Sequence, residues 1–299
     1  MADPVGSSDG GYKIENGTWY LDYRSWTDPI PEGVNCVNLF EGKLDIVNGQ
    51  YTIDGLNSLQ VNQLKTFIEE CHNHVPPIAV KVSLGGAGGQ TVYNNTWDQL
   101  MNPDGTANPT AIQGFAAGMA SFCHEYGIDG IDFDYEEDSN DPNSQAMMNQ
   151  EQAVGQLIAE YKKQDPSFQT SICTNAGFGG QYGWEVPLQR IFQAAQESYG
   201  GACPIDRLYI MSYTSSLSDE ENWITQWANW AKTNYGFEPA QISVGIDPTS
   251  GAYDYDQMAQ WAASQGYSSC MWAWDPGMDP NTENGYAEDI WNRYHPTHN

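Results

Sequence analysis

The stretch Gly127-Ile-Asp-Gly-Ile-Asp-Phe-Asp-Tyr-Glu136 decides the fold of this chain. Its apolar residues alternate with acids, as on a β-strand whose successive side chains point to opposite faces. One face of that strand therefore carries Asp132, Asp134 and Glu136 side by side. Burying such a row is costly unless the acids form hydrogen bonds, share protons or meet a ligand. The row thus indicates chemistry rather than stability.

Strand-like and helix-like segments alternate on both sides of this stretch. Ile112, Phe115 and Met119 repeat at the period of a helix, and Gly127 follows in position to end it. The alternation implies parallel pairing, and about 290 residues suit a single (β/α)8 TIM barrel. The predicted strands are 18–23, 35–40, 78–84, 127–135, 169–175, 207–213, 242–246 and 269–274. The predicted helices lie near 58–74, 109–126, 147–164, 187–199, 219–234, 254–265 and 284–293.

The remaining segments complete this barrel. We expect no full helix between the first two strands, where only about a dozen residues are available. Residues 43–55 read as a hairpin inserted after the second strand. Residues 1–10 read as a disordered leader, and residues 11–299 as one catalytic domain. In a barrel, active sites lie at the C-terminal ends of the strands, so Glu136 is the outermost acid of its row.

The composition excludes several classes of partner. The chain has 299 residues and a net charge of −28, which repels nucleic acid and anionic membrane surfaces. No apolar run is long enough to form a membrane-spanning helix. The excess of acidic residues indicates a solvated, negatively charged surface. The alternative is that this surface attracts a cationic polymer. We expect a neutral or cationic ligand, no nucleic acid and no membrane.

Neither the cysteines nor the histidines indicate a metal or a cofactor. The six cysteines show no metal-ligand spacing. Cys36, Cys173 and Cys270 lie in apolar strands, where a buried free thiol is expected, although one or two disulfides stay open. His72 and His74 are two apart on a helix and point to different faces.

Four elements resemble the motifs of glycoside hydrolase family 18, which contains chitinases and endo-β-N-acetylglucosaminidases. Residues 129–136 resemble its DGxDxDxE signature, and residues 81–86, Lys-Val-Ser-Leu-Gly-Gly, resemble its SxGG element. Met211-Ser-Tyr213 resembles the M-x-Y element of the sixth strand. Residues 271–275 resemble the eighth-strand tryptophan element. The four stand in the family's order across most of the chain.

The resemblance implies a role for each motif residue. Glu136 would be the general acid, Asp134 would orient the N-acetyl group of the substrate, and Asp132 would help to hold its charge. Tyr213 would contact the same acetamido group, and Trp272 would form the floor of the sugar subsite. This family cleaves with retention by substrate assistance, without a protein nucleophile, as an exception to the two-carboxylate scheme.

Further aromatic and apolar residues are expected to contact the substrate. Tyr23 and Met211 fall at strand ends, and Trp97 and Trp184 fall in loops on the expected catalytic face. For the two tryptophans, packing within the loop is an equal alternative to a sugar platform. A further set, spaced three and four apart on a helix, indicates a packing stripe: Trp223, Trp227 and Trp230.

Two structural alternatives are disfavoured. The acidic row could be a structural ion cluster or a cation site, but no Lys or Arg lies near it in sequence. The glycine-rich run 83–89 lacks the lysine and the spacing of a phosphate loop, so we expect it to allow close backbone packing.

Three functions fit the resemblance. The first is a secreted, monomeric, endo-acting chitinase, because the short segment between the last two strands leaves no room for the groove-deepening α+β insertion of exo-acting relatives. The second is an endo-β-N-acetylglucosaminidase that cuts the chitobiose core of N-glycans. The third is a non-catalytic binding relative, although such proteins typically lose the acid found here as Glu136. One departure from the family is Thr214, where many members have Asp or Asn.

Overall fold

The computed structural model describes residues 18–21, 30, 33–55, 61–86, 96–137, 143–179, 183–272 and 279–294. The predicted leader, Tyr23 and most of the first crossover lie outside these residues. The strands are β1 Thr18–Leu21, β2 Cys36–Val47, β3 Gln50–Asp54, β4 Ala79–Gly85, β5 Gly130–Asp134, β6 Gln169–Asn175, β7 Arg207–Met211, β8 Ile242–Ile246 and β9 Ser268–Trp272. The helices are α1 Val61–Asn73, α2 Pro109–Tyr126, α3 Gln145–Gln164, α4 Glu185–Ser198, α5 Leu217–Tyr235, α6 Tyr255–Gln265 and α7 Pro280–Tyr294.

Eight parallel strands close into a barrel. The order is β1-β9-β8-β7-β6-β5-β4-β2, and β1 pairs with both β9 and β2. Closure leaves no open edge, and the flanking helices cover the outside of the sheet. The (β/α)8 prediction is therefore confirmed, and the ninth strand, β3, pairs antiparallel with the far half of β2.

The acidic strand β5 separates an apolar outer face from a polar inner face. On β5, Ile131 and Phe133 are fully buried in the core beneath the helices. Burying each such side chain contributes about 1.5–3 kcal/mol. The opposite parity carries Asp132 and Asp134, as the alternation predicts. The polar residues of β5 thus point into the barrel because its apolar residues are required outside.

The entry into β5 is fixed by the ends of the preceding helix. Oδ1 of Asn108 accepts hydrogen bonds from the backbone N–H groups of Thr110 and Ala111, both at 3.1 Å, which caps the start of α2. Gly127 ends the helix in the left-handed conformation at φ 75°, as the sequence predicts. The chain then turns directly into the acidic strand.

The predicted hairpin is confirmed as β2 and β3. Its turn has positive φ at Asn48 (52°) and Gly49 (80°), the combination that matches the twist of paired strands. Tyr51 of β3 packs against α2, where a Cβ on Gly114 would overlap its ring and one on Gly118 would overlap its backbone. The two glycines are therefore required for the hairpin to lie against this helix.

The connection between β8 and β9 is short, as predicted. Every residue between Ile246 and Ser268 is described, and this segment contains only α6. The small α+β insertion is therefore absent, and nothing in this connection adds a wall beside the barrel mouth.

All six cysteines are free thiols, five of them buried. Within the described ranges, no helix has the length and apolar character needed to cross a membrane. The same ranges contain no group of three or more His, Cys, Asp or Glu side chains arranged to hold a metal ion.

Candidate active site

The three acids form a column inside the barrel. Asp132 is completely buried, Asp134 is 4% exposed and Glu136, two residues past the end of β5, is half-buried. Exposure thus increases toward the C-terminal end of the strand. This is the order that the sequence predicts for a site at the barrel mouth.

Asp132 lies at the base of the column within a ring of hydroxyl groups. Its Oδ2 accepts hydrogen bonds from Tyr20 Oη at 3.0 Å and Ser83 Oγ at 2.8 Å. Its Oδ1 accepts one from Ser171 Oγ at 2.6 Å. Burial raises the pKa of Asp132, while nearby Lys81 and these hydroxyls oppose the rise.

Asp134, in the middle of the column, has one unsatisfied carboxylate oxygen. Its Oδ1 is buried without a hydrogen-bond partner among the described residues. Burial raises its pKa well above the usual range, and the charges of Glu136 and Asp132 raise it further. An orphaned buried oxygen is costly, so this carboxyl is poised for a ligand group or a shared proton.

Glu136 has the electrostatics of a general acid. Burial raises its pKa from 4.5 to about 7. A carboxyl with that pKa carries its proton at slightly acidic pH and can donate it to a substrate oxygen. Because the acids interact, the column titrates as a group rather than one residue at a time.

The glycines of the SxGG element let β4 approach this column closely. Gly85 has φ 101°, and a Cβ there would overlap the backbone oxygen of Asp134 and the ring of Trp97. A Cβ on Gly86 would stand 3.6 Å from Asp134 Oδ2. The expected role in backbone packing is therefore confirmed for Gly85, and this packing helps to position Asp134.

Met211 is the last residue of β7, and Tyr213 lies two residues beyond it. Burial raises the pKa of Tyr213 well above its usual range, with contributions from Cys173 and from the charges of Glu136 and Asp134. The phenol and the acids are thus close enough to interact. Met211 is 4% exposed and packs with Tyr20, Cys173 and Tyr209 inside the barrel, so it supports the site from below.

Trp272 is placed by the backbone of the last barrel strand. Trp272 is the last residue of β9, where its backbone pairs in register with Tyr20 of β1. The backbone of Trp272 therefore ends a barrel strand on the catalytic face, as the motif predicts. Tyr23 lies outside the described residues.

Trp97 is part of the core, which corrects its expected role as a sugar platform. Its side chain is 1% exposed and stacks near Phe133 and Tyr135, with ring centroids 6.3 and 6.1 Å away. A ring buried on the outer side of β5 offers no face to a sugar. The alternative of packing is the one that its position supports.

Trp184 and Trp223 line a cavity at the C-terminal ends of β6 and β7. The cavity has a volume of about 340 Å³, and both indoles are half-buried. The remaining lining residues are Asn175, Gly177, Thr214, Ser215 and Asp219. The expected packing stripe is therefore correct for Trp227, which is fully buried, but Trp223 faces this cavity. The helical spacing located these residues on one face without showing where that face ends.

Lys81 is the site residue that sequence reasoning missed. No basic residue is near the acids in sequence, but Lys81 of β4 is fully buried inside the barrel beside them. Strand parity could have revealed it, because Lys81 precedes the inward-facing Ser83 by two residues. The prediction that no cation lies near the acidic row was therefore wrong, because it considered only distance along the sequence.

Thr214, the departure from the family pattern, is held by Glu220. Glu220 is buried at the start of α5, and its Oε1 accepts hydrogen bonds from the backbone N–H groups of Thr214 at 3.0 Å and Ser215 at 2.8 Å. This contact fixes the backbone directly after Tyr213. Thr214 itself is exposed beside the cavity.

Comparison with known proteins gives one similar curated sequence and many similar folds. Chitinase 1 of Tulipa saxatilis subsp. bakeri is 24% identical over 233 residues, which cover 77% of this chain. The match spans 61% of the length of that relative. No protein-family model matches the chain.

Solved structures share the fold over nearly the whole chain. A GH18 chitinase from Cycas revoluta in complex with (GlcNAc)3 superposes with a TM-score of 0.67 at 13% identity, covering 93% of this chain and 99% of that one. The chitinase-like agglutinin RobpsCRA from Robinia pseudoacacia gives 0.64 at 13% identity, with the same coverage. At these identities the likeness establishes the barrel, and the chemistry must be argued from the site.

Proposed function

We propose that the chain is an endo-acting chitinase of glycoside hydrolase family 18, whose four motifs its sequence resembles. It would hydrolyse β-1,4 linkages between N-acetylglucosamine units. The observation that carries this proposal is the column of acids, which ends at the barrel mouth in Glu136 with a pKa of about 7. The similarity to Chitinase 1 supports the same activity.

In the first step, Glu136 donates its proton to the oxygen of the scissile glycosidic bond. The acetamido oxygen of the same sugar attacks the anomeric carbon, and the glycosidic bond breaks. The products of this step are a shortened chain with a free hydroxyl and a cyclic oxazolinium ion. Asp134 stabilises the positive charge that develops on the acetamido nitrogen, and its unpartnered Oδ1 is free to accept that N–H.

In the second step, water opens the oxazolinium ring. Glu136, now a carboxylate, removes a proton from the water as the water oxygen bonds to the anomeric carbon. The acetamido group is restored, Glu136 is again protonated, and the configuration is retained. The Tyr213 hydroxyl would hold the acetamido group during both steps, since Tyr213 lies close enough to Glu136 and Asp134 for their charges to raise its pKa.

Cleavage within a chain fits the shape of the barrel mouth. The connection from β8 to β9 contains only α6, so no extra domain closes one side of the cleft. Trp184 and Trp223 line a cavity beside Thr214, which follows Tyr213 directly, and aromatic faces bind the apolar faces of sugar rings. We assign this cavity to a sugar unit that flanks the cleaved bond. The ligand would be a neutral or partly deacetylated polymer that keeps an N-acetyl group at the cleaved sugar, bound by a secreted, monomeric protein without a cofactor.

The test compares chitohexaose with a high-mannose N-glycoprotein, with products identified by mass. Early mixtures of internal cleavage products from chitohexaose would support the proposal, and disaccharide alone from the start would argue against endo cleavage. Release of glycan from the glycoprotein, without attack on chitohexaose, would instead support the endo-β-N-acetylglucosaminidase. Binding of chitohexaose without cleavage would identify a lectin-like protein. A Glu136→Gln variant as active as the parent would overturn the assignment of the acid.

A further inference from the structure

Lys81 occupies an unusual position for a lysine. On β4 its neighbours Val80 and Val82 point outward into the core, while Lys81 and Ser83 point into the barrel. Its side chain is completely buried. A buried ammonium is unfavourable unless hydrogen bonds and a negative charge compensate for the lost water. The barrel interior provides both.

The hydrogen bonds of Lys81 lead to Asp132 through a serine. Its Nζ donates to Ser171 Oγ at 3.2 Å, and Ser171 Oγ lies 2.6 Å from Asp132 Oδ1. Because a serine hydroxyl has one proton, Ser171 accepts from the ammonium and donates to the carboxylate. Both hydrogen bonds of the bridge are therefore donated in the same direction, from Lys81 toward Asp132.

A second contact holds the ammonium in place. Nζ of Lys81 donates to Tyr209 Oη at 2.7 Å and lies 4.5 Å from the centroid of the same ring. Tyr209 in turn shares a hydrogen bond with Thr18 at 3.3 Å. The lysine is thus held by side chains of β6 and β7, the two strands that follow β5 around the barrel.

The partners of Asp132 match its ionised form. Tyr20, Ser83 and Ser171 all have protons to donate, and an ionised carboxylate only accepts. The titratable groups around this pair and the acids nearer the mouth are Tyr20 on β1, Asp134 on β5, Glu136 two residues after it, Cys173 on β6, Tyr209 on β7, Tyr213 two residues after β7, and Cys270 on β9. Arg207, at the start of β7, instead donates to Ala240 and Ser243.

We propose that Lys81 is a positioning residue that keeps Asp132 ionised, so that the mobile protons of the column stay on Asp134 and Glu136. The inference rests on the proposed function for its kinetic consequence only. With a fixed charge at the base, the proton that Glu136 donates stays near the barrel mouth. Without the cation, Asp132 would compete for those protons, and every acid of the column would bind protons more tightly.

The first test is the pH dependence of kcat/KM in Lys81→Met, which keeps the side-chain volume and removes the charge. Both limbs of the profile on chitohexaose should move to higher pH, by about one unit for a partly shielded charge at this range. The matched control is Lys162→Met. Lys162 is also buried, on α3, where its Nζ donates to Phe168 O and to Asp206. That variant should lose stability and leave both limbs in place.

A second variant retains both charges and removes the bridge. Ser171→Ala should move the limbs in the same direction as Lys81→Met but by less, because the ammonium and the carboxylate remain. This variant keeps the inference testable if Lys81→Met folds poorly. Unchanged limbs in both variants would contradict the proposal.

A direct titration separates this inference from the proposed function. The protein is labelled with ¹³Cγ aspartate, and the Asp132 resonance is assigned through Asp132→Asn. In Lys81→Met the midpoint of that resonance should rise by about one pH unit, and in Lys162→Met it should not change. A shift in a protein without chitinase activity would uphold the role of Lys81 and reject the proposed function. An unchanged midpoint in an active enzyme would do the reverse.

Discussion

Glu220 and Thr214 are joined by a hydrogen bond of 3.0 Å from the Thr214 backbone N–H to the Glu220 carboxylate. A second N–H, from Ser215, donates to the same oxygen at 2.8 Å. The first turn of α5 therefore holds the chain immediately after Tyr213. In this protein a buried acid on the helix supports the segment where many relatives have an acid or an amide in place of Thr214.

Removing this support should reduce both stability and activity. Glu220→Ala leaves two partly buried N–H groups without their acceptor, which costs about 2–3 kcal/mol in the free energy of unfolding. Glu220→Gln keeps an acceptor oxygen and should lose less than half of that. Urea unfolding measures the first effect, and kcat/KM on chitohexaose measures the displacement of Tyr213. Equal losses for the two variants would show that the acceptor is not the relevant property.

The pH profile should have its basic limb near neutrality. Glu136 must be protonated to donate, and burial raises its pKa to about 7. The value of kcat/KM should therefore decline about tenfold per pH unit above this pH. Initial rates on chitohexaose at low substrate concentration, from about pH 4 to about pH 9, provide the measurement. A basic limb close to pH 4.5, the usual value for glutamate, would contradict a buried general acid.

The same acid should weaken the fold at high pH. The folded pKa of Glu136, about 7, exceeds the ordinary 4.5, so the folded state binds the proton more tightly. Its contribution to stability is complete below about pH 4.5 and is lost as pH rises through 7. Glu136→Gln should thus be more stable than the parent by about 2 kcal/mol above this range, after allowance for partial exposure.

The control for this comparison is Glu160→Gln, which removes a surface ion pair with Lys163 at 2.7 Å. Such a pair contributes under about 1 kcal/mol. Unfolding free energies at pH 4.5, the ordinary pKa of glutamate, and at about pH 8.5, above the folded pKa, distinguish the variants. A Glu136→Gln variant that gains nothing at the higher pH would show that the acid is not held in a dry site.

The glycine before the column should not tolerate a side chain. Gly85→Ala places a Cβ against the Asp134 backbone and the Trp97 ring at φ 101°, which we expect to cost about 2–4 kcal/mol and to displace Asp134. Gly179→Ala is the matched control, because it also has positive φ, 79°, but meets no atom within 4 Å. It should cost about 1 kcal/mol and leave kcat/KM unchanged. Thermal unfolding and kinetics of the two variants distinguish the backbone strain that both share from the atomic overlap that only Gly85→Ala creates.

The indole of Trp184 should contribute to binding. Trp184→Ala removes an aromatic wall of the cavity and should lower kcat/KM on chitohexaose about tenfold, the equivalent of one stacking contact. Trp261→Ala is the control, since Trp261 of α6 is also half-buried but packs near Tyr267, just after that helix. It should change stability without changing the kinetics. Equal kinetic effects from the two variants would remove the cavity from the substrate path.

Local sequence patterns were sufficient for the barrel and for the order of the acids. The alternation around Phe133 defines two faces of β5, and the helical repeat before Gly127 defines the element that precedes it. These are short-range periodicities, which can be recognised in the sequence without knowledge of the fold. The column from Asp132 outward follows from them once the strands close into a barrel.

The remaining features depend on contacts across the barrel. Lys81 meets Ser171 and Tyr209, which are 90 and 128 positions away in the chain. No local pattern encodes such a distance. Trp97 likewise falls in a polar segment, and only the fold shows that its ring lies against the outer face of β5. Periodicity specifies the face of a residue but not what covers it.

The hairpin of β2 and β3 provides a place for engineering. It packs along α2, and its turn at Asn48 and Gly49 lies with Phe122 and Glu125, near the helix end that leads into the start of β5. That end is opposite the acids. Exposed turns of this kind accept inserted sequence. A second protein module joined between Asn48 and Gly49 would therefore be carried behind the catalytic face, where it can be attached without standing in the path of a polysaccharide.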